Sequence, residues 1–96
     1  MDNEKTVYIS GKITGEPSFK LYFGEAEREL REEGWRVISP TILPGNLDYE
    51  QYMTICFAMI DVSDCVYMLR NWKDSKGAQR ELEYARAKCK NVLWQK

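Results

Sequence analysis

The sequence predicts an α/β fold of the doubly wound, Rossmann- or flavodoxin-like kind: a three-layer sandwich around a four-stranded parallel sheet in the order 2-1-3-4. Three observations carry that prediction. Short β-branched and aromatic runs alternate with longer segments whose apolar residues recur at helical spacing, a β-α-β-α-β-α-β pattern that implies right-handed crossovers. The run Cys65-Val-Tyr-Met-Leu69 is apolar almost without a break, as expected of a strand buried on both faces. Glycine, proline or polar clusters punctuate each change of period.

Thr6-Val-Tyr-Ile-Ser10 reads as the first strand, leaving through a loop, Gly11 to Pro17, that contains two glycines and a proline. From Ser18 the period changes. Phe19, Tyr22, Phe23, Ala26 and Leu30 mark the inner face of a helix whose other face is filled by charges, and Gly34 stops it. Trp35 to Ile38 is the second strand, ended by Ser39-Pro40 and a loop with Pro44-Gly45. Asp48 can cap a second helix with Tyr52, Ile55, Cys56, Met59 and Ile60 inward. After the third strand, Arg70 to Lys76 is a polar exit loop in which Ser75 can cap a third helix carrying Ala78, Leu82, Ala85 and Cys89 inward. Asn91-Val-Leu-Trp94 closes the sheet. Winding reverses between strands 1 and 3, so their exit loops flank a crevice of the kind that binds ligands.

All 96 residues are read as one domain with a single core. Lys plus Arg number 14 against 15 Asp plus Glu, interspersed, which provides no basic patch for nucleic acid. No apolar stretch approaches the roughly 20 residues needed to cross a bilayer. The opening Met-Asp-Asn-Glu-Lys lacks the apolar core of a signal peptide, so a cytoplasmic protein is expected. Cys56, Cys65 and Cys89 leave one over in any pairing and read as small buried side chains. Histidine is absent, which removes the usual base of serine and cysteine nucleophiles and the commonest zinc ligand; no metal or organic cofactor is implied.

Two segments carry residue types suited to chemistry. Ser10-Gly-Lys-Ile-Thr-Gly15 joins a strand to a helix, where backbone N–H groups can meet an anion, although its spacing is that of neither common phosphate loop; an ordinary βα turn has the same composition. In Ser75-Lys-Gly-Ala-Gln-Arg-Glu81, the glutamate falls in the first two turns of the third helix, where the helix dipole favours the ionised carboxylate. A positioned carboxylate is a nucleophile toward an anomeric carbon, while the same residue among Arg80, Glu83, Arg86 and Lys88 also suits a surface glutamate. Trp72, Tyr8, Tyr49 and Tyr52 lie on or beside the loops, with Trp72 best placed to stack on a planar base, although packing or loop anchoring is the commoner use of each. Asp61 and Asp64 precede the third strand, away from the crevice.

Taken together, Val7-Tyr-Ile-Ser-Gly-Lys-Ile-Thr-Gly15, Gly34 with Val37 and Pro40, Ile60-Asp-Val-Ser-Asp64 and Gly77-Ala-x-x-Glu81-x-x-x-Ala85 resemble the nucleoside 2-deoxyribosyltransferase-like superfamily. Tyr67-Met-Leu-x-x-Trp72-x-x-Ser75-x-Gly-Ala-x-x-Glu81 looks most like its short bacterial and phage branch. The resemblance implies a nucleoside or nucleotide as partner, Glu81 as the nucleophile that attacks a 2-deoxyribose, and Tyr8 as its orienter. Similarity to the 2'-deoxynucleoside 5'-monophosphate N-hydrolases places Lys12, Ile13, Thr14 and Gly15, with Ser75, around the phosphate; Ser10, Gly11, Trp72 and Gly77, on the same two loops, complete the candidate binding residues. Ser75 stands where free-nucleoside transferases tend to carry an aspartate, which favours a phosphorylated ligand.

One position departs from the pattern. Active members carry an aspartate on the second helix where this sequence has Cys56, and a thiol replaces a carboxylate at neutral pH only if its pKa is strongly lowered. Characterised members also continue through another strand and share residues across a dimer interface, where this sequence stops at Lys96. The expectations are therefore an N-glycosidase or deoxyribosyltransferase-like enzyme or, alternatively, a nucleotide-binding or sensing module without turnover, and, less directly, a structural assembly subunit. A homodimer or higher oligomer is expected through the Tyr49 to Met59 helix, because so small a sheet leaves exposed edges.

Overall fold

The computed structural model describes residues 5–96; residues 1–4, most of the opening segment read above for a signal peptide, lie outside the described residues. Strand β1 (Thr6–Ser10) leads to helix α1 (Phe19–Glu32), strand β2 (Arg36–Ile38), helix α2 (Tyr49–Asp61), strand β3 (Cys65–Met68), helix α3 (Lys76–Ala87) and strand β4 (Asn91–Trp94), with short 3-10 turns at Pro40–Ile42 and Trp72–Asp74. The sheet order is β2-β1-β3-β4 and every pairing is parallel: Val7 lies opposite Val37 and Cys65, and Met68 opposite Trp94. This is the predicted fold class.

Alternation along β1 divides the core. Val7 and Ile9 point to α1 and pack with Phe23, Ala26 and Leu30, whereas Tyr8 points to the other face among Cys56, Ile60, Leu82 and Ala85 of α2 and α3. Crossover helices thus cover both faces, and β3 is buried on both. Helix α1 ends at Gly34, whose φ of +97° only glycine adopts without strain. Helix α2 begins with a complete capping box: the Asp48 carboxylate accepts the Gln51 N–H at 2.8 Å and the Gln51 side chain accepts the Asp48 N–H at 3.0 Å. At the amino edge of the sheet, Asp64 accepts the Thr6 N–H at 2.9 Å and Asp61 accepts the Tyr84 hydroxyl at 2.8 Å. Both residues tie elements together, remote from the strands' carboxyl ends.

Several positions expected to face inward are not buried. Tyr22 is 40% exposed because the buried face of α1 is narrower than its apolar period. On α2, Met53 is buried, while Tyr52, Ile55 and Met59 are only half-buried. Cys89 lies beyond the end of α3, where the helical period no longer applies. It takes the left-handed position after the helix, at φ +59°, and is exposed. Among the described residues no helix is long and apolar enough to cross a membrane.

Candidate active site

Two elements bring the candidate nucleophile to the carboxyl ends of the strands. Ser75 caps α3, its hydroxyl accepting the Ala78 N–H at 3.1 Å, which starts the helix beside the exit of β3. Glu81 then falls on the stripe shared with Ala78, Leu82 and Ala85, turned toward the sheet and only 6% exposed. Alternation puts Tyr8 and Ser10 beneath it. The Ser10 hydroxyl donates to Glu81 Oε1 at 2.6 Å and the Tyr8 hydroxyl donates to Oε2 at 3.1 Å, so each carboxylate oxygen has its own donor. From α2, the buried Cys56 thiol completes the surroundings and interacts with both Glu81 and Tyr8.

Burial controls the electrostatics of this group. It pushes the Glu81 carboxyl up to about 7 against the opposing effect of the Ser10, Tyr8 and Cys56 hydrogen bonds. The expectation of a carboxylate held ionised by the α3 dipole is corrected: Glu81 titrates near neutrality. Burial and the neighbouring Glu81 charge push the Cys56 thiol up to about 12, so it is a neutral thiol with no carboxylate-like character. The Tyr8 hydroxyl is held well above its ordinary range, again mainly by burial.

Above Glu81 opens a cavity of about 810 Å³, within the range of small-molecule sites. Gly11, Ile13 and Thr14 form one wall; Ser75, Lys76, Gly77 and Ala78 form a second; Tyr52, Met53 and Cys56 of α2 form a third. The two exit loops are joined by the Lys12 N–H, which donates to Asn71 Oδ1 at 3.1 Å. Gly11 is required by close approach rather than by φ: a Cβ there would lie 2.6 Å from Leu69 Cδ1. Gly77 leaves room over Met53 and Tyr49.

Of the residues singled out in the sequence, Gly11, Ile13, Thr14, Tyr49, Tyr52, Cys56, Ser75, Gly77 and Glu81 line the cavity. The others are placed differently. Ser10 and Tyr8 are fully buried under Glu81; Ser10 meets the site through it, and Tyr8 through it and Cys56. Lys12 contributes backbone to the bridge between loops, and neither it nor Gly15 lines the cavity. Trp72 turns away because its loop folds into a 3-10 turn; its ring packs on Trp94 at 5.5 Å between centroids, and Tyr49 and Tyr52 are the aromatics that reach the cavity with Phe19. Pro40, Gly45 and Leu47 complete the wall from the exit of β2. That loop was not singled out, although a parallel sheet gathers every exit loop at one edge.

The fold can now be compared with known proteins. The model of the family described as Domain of unknown function (DUF4406) matches residues 5–94. The chain belongs to this family. A comparison with curated proteins finds no match. Among solved structures, a 2-deoxyribosyltransferase from Leishmania mexicana superposes with a TM-score of 0.74 at 23% identity, over 94% of this chain and 63% of that one. A 2-deoxyribosyltransferase from the psychrotolerant bacterium Bacillus psychrosaccharolyticus gives 0.73 at 21% identity, over 93% of this chain and 70% of that one. The DUF4406 chain thus has the deoxyribosyltransferase fold over nearly all its length, and it spans less than two thirds of the Leishmania enzyme.

Chemically, the arrangement offers one buried carboxyl, fixed by two hydroxyls, at the floor of a cavity with polar groups at its mouth. Ionised, such a group is a nucleophile or base; protonated, it is an acid.

Proposed function

We propose that this DUF4406 protein is an N-glycosyl hydrolase or deoxyribosyltransferase-like enzyme acting on a (deoxy)nucleoside 5'-monophosphate, with Glu81 as nucleophile and Tyr8 and Ser10 as its positioning residues. The observation that carries the reading is the Glu81 carboxyl itself, buried, doubly hydrogen-bonded and lining a cavity of about 810 Å³. A buried glutamate kept only for stability is costly. One presented to a cavity suits attack on an anomeric carbon, with release of the base and transfer of the glycosyl group to water or to another base. The likeness of the fold to two 2-deoxyribosyltransferases supports this choice of reaction.

In this reading the phosphate sits at the start of α3, where the first backbone N–H groups have no preceding turn to engage them and Ser75, Thr14 and Lys76 stand nearby. Glu81 lies five residues beyond Lys76, a rise of about 8 Å, comparable to the reach from a 5'-phosphate across a furanose to its anomeric carbon. The base then lies toward Tyr52 and Phe19. A homodimer or larger assembly packed through α2 belongs to the same proposal.

A second reading follows from Cys56: with a neutral thiol beside Glu81, the pocket serves as a nucleotide sensor without turnover. One experiment separates the two. The protein is incubated with a panel of nucleoside and nucleotide substrates; base release is followed by chromatography and binding by calorimetry. Release that disappears in Glu81→Gln while binding persists supports the enzyme. Binding without release from any member supports the sensor.

A further inference from the structure

Resting on the enzymatic reading above, the geometry points to a substrate class: N-glycosides whose base already carries a formal positive charge, such as pyridinium or N7-alkylated purine nucleoside 5'-monophosphates. Breaking a C–N glycosidic bond sends the electron pair to the base. A neutral purine or pyrimidine leaves readily only if an acid protonates it, whereas a cationic base departs neutral with no proton needed.

The groups in direct contact with Glu81 are poorly suited to give that proton. The Ser10 hydroxyl, at 2.6 Å, and the Tyr8 hydroxyl, at 3.1 Å, are both already directed at the Glu81 carboxylate, and both residues are fully buried beneath it. Cys56 presents a thiol that keeps its proton, and Glu81 cannot be nucleophile and acid in the same step. The remaining carboxyl of the cavity wall belongs to Asp74, an exposed residue before α3. It sits in the 3-10 turn Trp72–Asp74, outside the helix that carries Glu81, and makes no hydrogen bond to Glu81, whose two carboxylate oxygens are taken by Ser10 and Tyr8. The cavity instead offers what a cation needs: the Tyr52 and Phe19 rings, which can stack against it, and a carboxylate below.

The reaction balances without an added acid. A Glu81 oxygen bonds the anomeric carbon as the C–N bond breaks, its pair neutralising the base. Water then attacks the same carbon, the ester C–O bond breaks with its pair returning to Glu81, and the water's extra proton goes to solvent. Nucleotide and water yield the free sugar phosphate, the neutral base and one proton.

The test compares nicotinamide mononucleotide and N7-methylguanosine 5'-monophosphate with AMP and GMP, each in ribo and 2'-deoxy form. Base release is measured near neutral pH and corrected for spontaneous hydrolysis in parallel samples containing Glu81→Gln. General-acid assistance contributes about 10²–10⁴-fold, so release from the cationic pair is expected to exceed that from the neutral pair by at least about 10²-fold. Release of adenine or guanine as fast as the cationic bases, abolished in Glu81→Gln, would overturn the substrate class and leave the enzymatic reading standing; its loss in Asp74→Asn as well would identify the missing acid. Binding of every probe with no release above Glu81→Gln would overturn both.

Discussion

Glu81 makes the stability of this fold depend on pH in a direction opposite to that of most carboxylates, and Glu81→Gln exposes the effect. An ordinary glutamate titrates near 4.5, and burial raises this one to about 7. The folded protein therefore holds the proton to higher pH than the unfolded chain does. Below about 4.5 both states are protonated and the penalty is absent. Between about 4.5 and about 7 the unfolded chain ionises first, so stability falls as pH rises, and above that window the penalty is complete. At ~1.36 kcal/mol for each pH unit of separation, the folded state loses about 3 kcal/mol across the window. Glutamine keeps the shape and carries no charge. The variant should gain about 3 kcal/mol on the parent between pH ~4.5 and pH ~8, whatever its fixed cost from altered hydrogen bonding. Denaturant unfolding of both proteins across that range measures the difference directly, since every other titrating group is shared. Parallel stability profiles would refute the reasoning, because they would mean that Glu81 titrates alike in both states.

Other changes test neighbouring parts of the structure. Ser10→Ala removes the donor that does most to hold the Glu81 carboxyl down, so the acidic limb of the pH–rate profile should move to higher pH with little change in the plateau; an unmoved limb would place Ser10 outside the site's electrostatics. Gly11→Ala forces a Cβ to within 2.6 Å of Leu69 Cδ1 and 2.9 Å of its Cβ, against a side chain only 1% exposed. Overpacking of this kind costs about 1–3 kcal/mol, read from the denaturation midpoint, and an unchanged midpoint would show that the β1 and β3 exits separate freely. Cys89→Gly relieves a left-handed residue at φ +59° after α3 and should stabilise by about 1 kcal/mol in a thermal melt; a loss would mean that the thiol contributes packing its exposure does not reveal.

Most of the architecture was legible because its signals are local. The apolar run Cys65 to Leu69, the caps Asp48 and Ser75 and the stop at Gly34 each act within a few residues, and sheet order follows from how crossovers wind. The misplaced residues depend on distant partners. Trp72, in an otherwise polar loop, suits either base stacking or packing; β4 supplies Trp94 to pack on it, and no pattern around residue 72 announces that partner. Glu81 is the more instructive case. Ala78, Glu81, Leu82 and Ala85 sit at i, i+3, i+4 and i+7, so the glutamate lies within the inward stripe, and a carboxyl in such a stripe is a visible sign of a buried acid. Its protonation was not visible. A helix N-terminus favours a nearby charge by about 0.3–1 kcal/mol, and that effect fades beyond the first turn. Desolvation of a fully buried carboxylate shifts its pKa by up to 3–5 units, several kcal/mol. Which of the two wins depends on how completely Tyr8, Ser10 and Cys56 enclose the group, and that enclosure comes from β1 and α2, elements far from Glu81 in the chain. The identity of the candidate nucleophile is thus written in one helix, whereas its charge at neutral pH is a property of the assembled core.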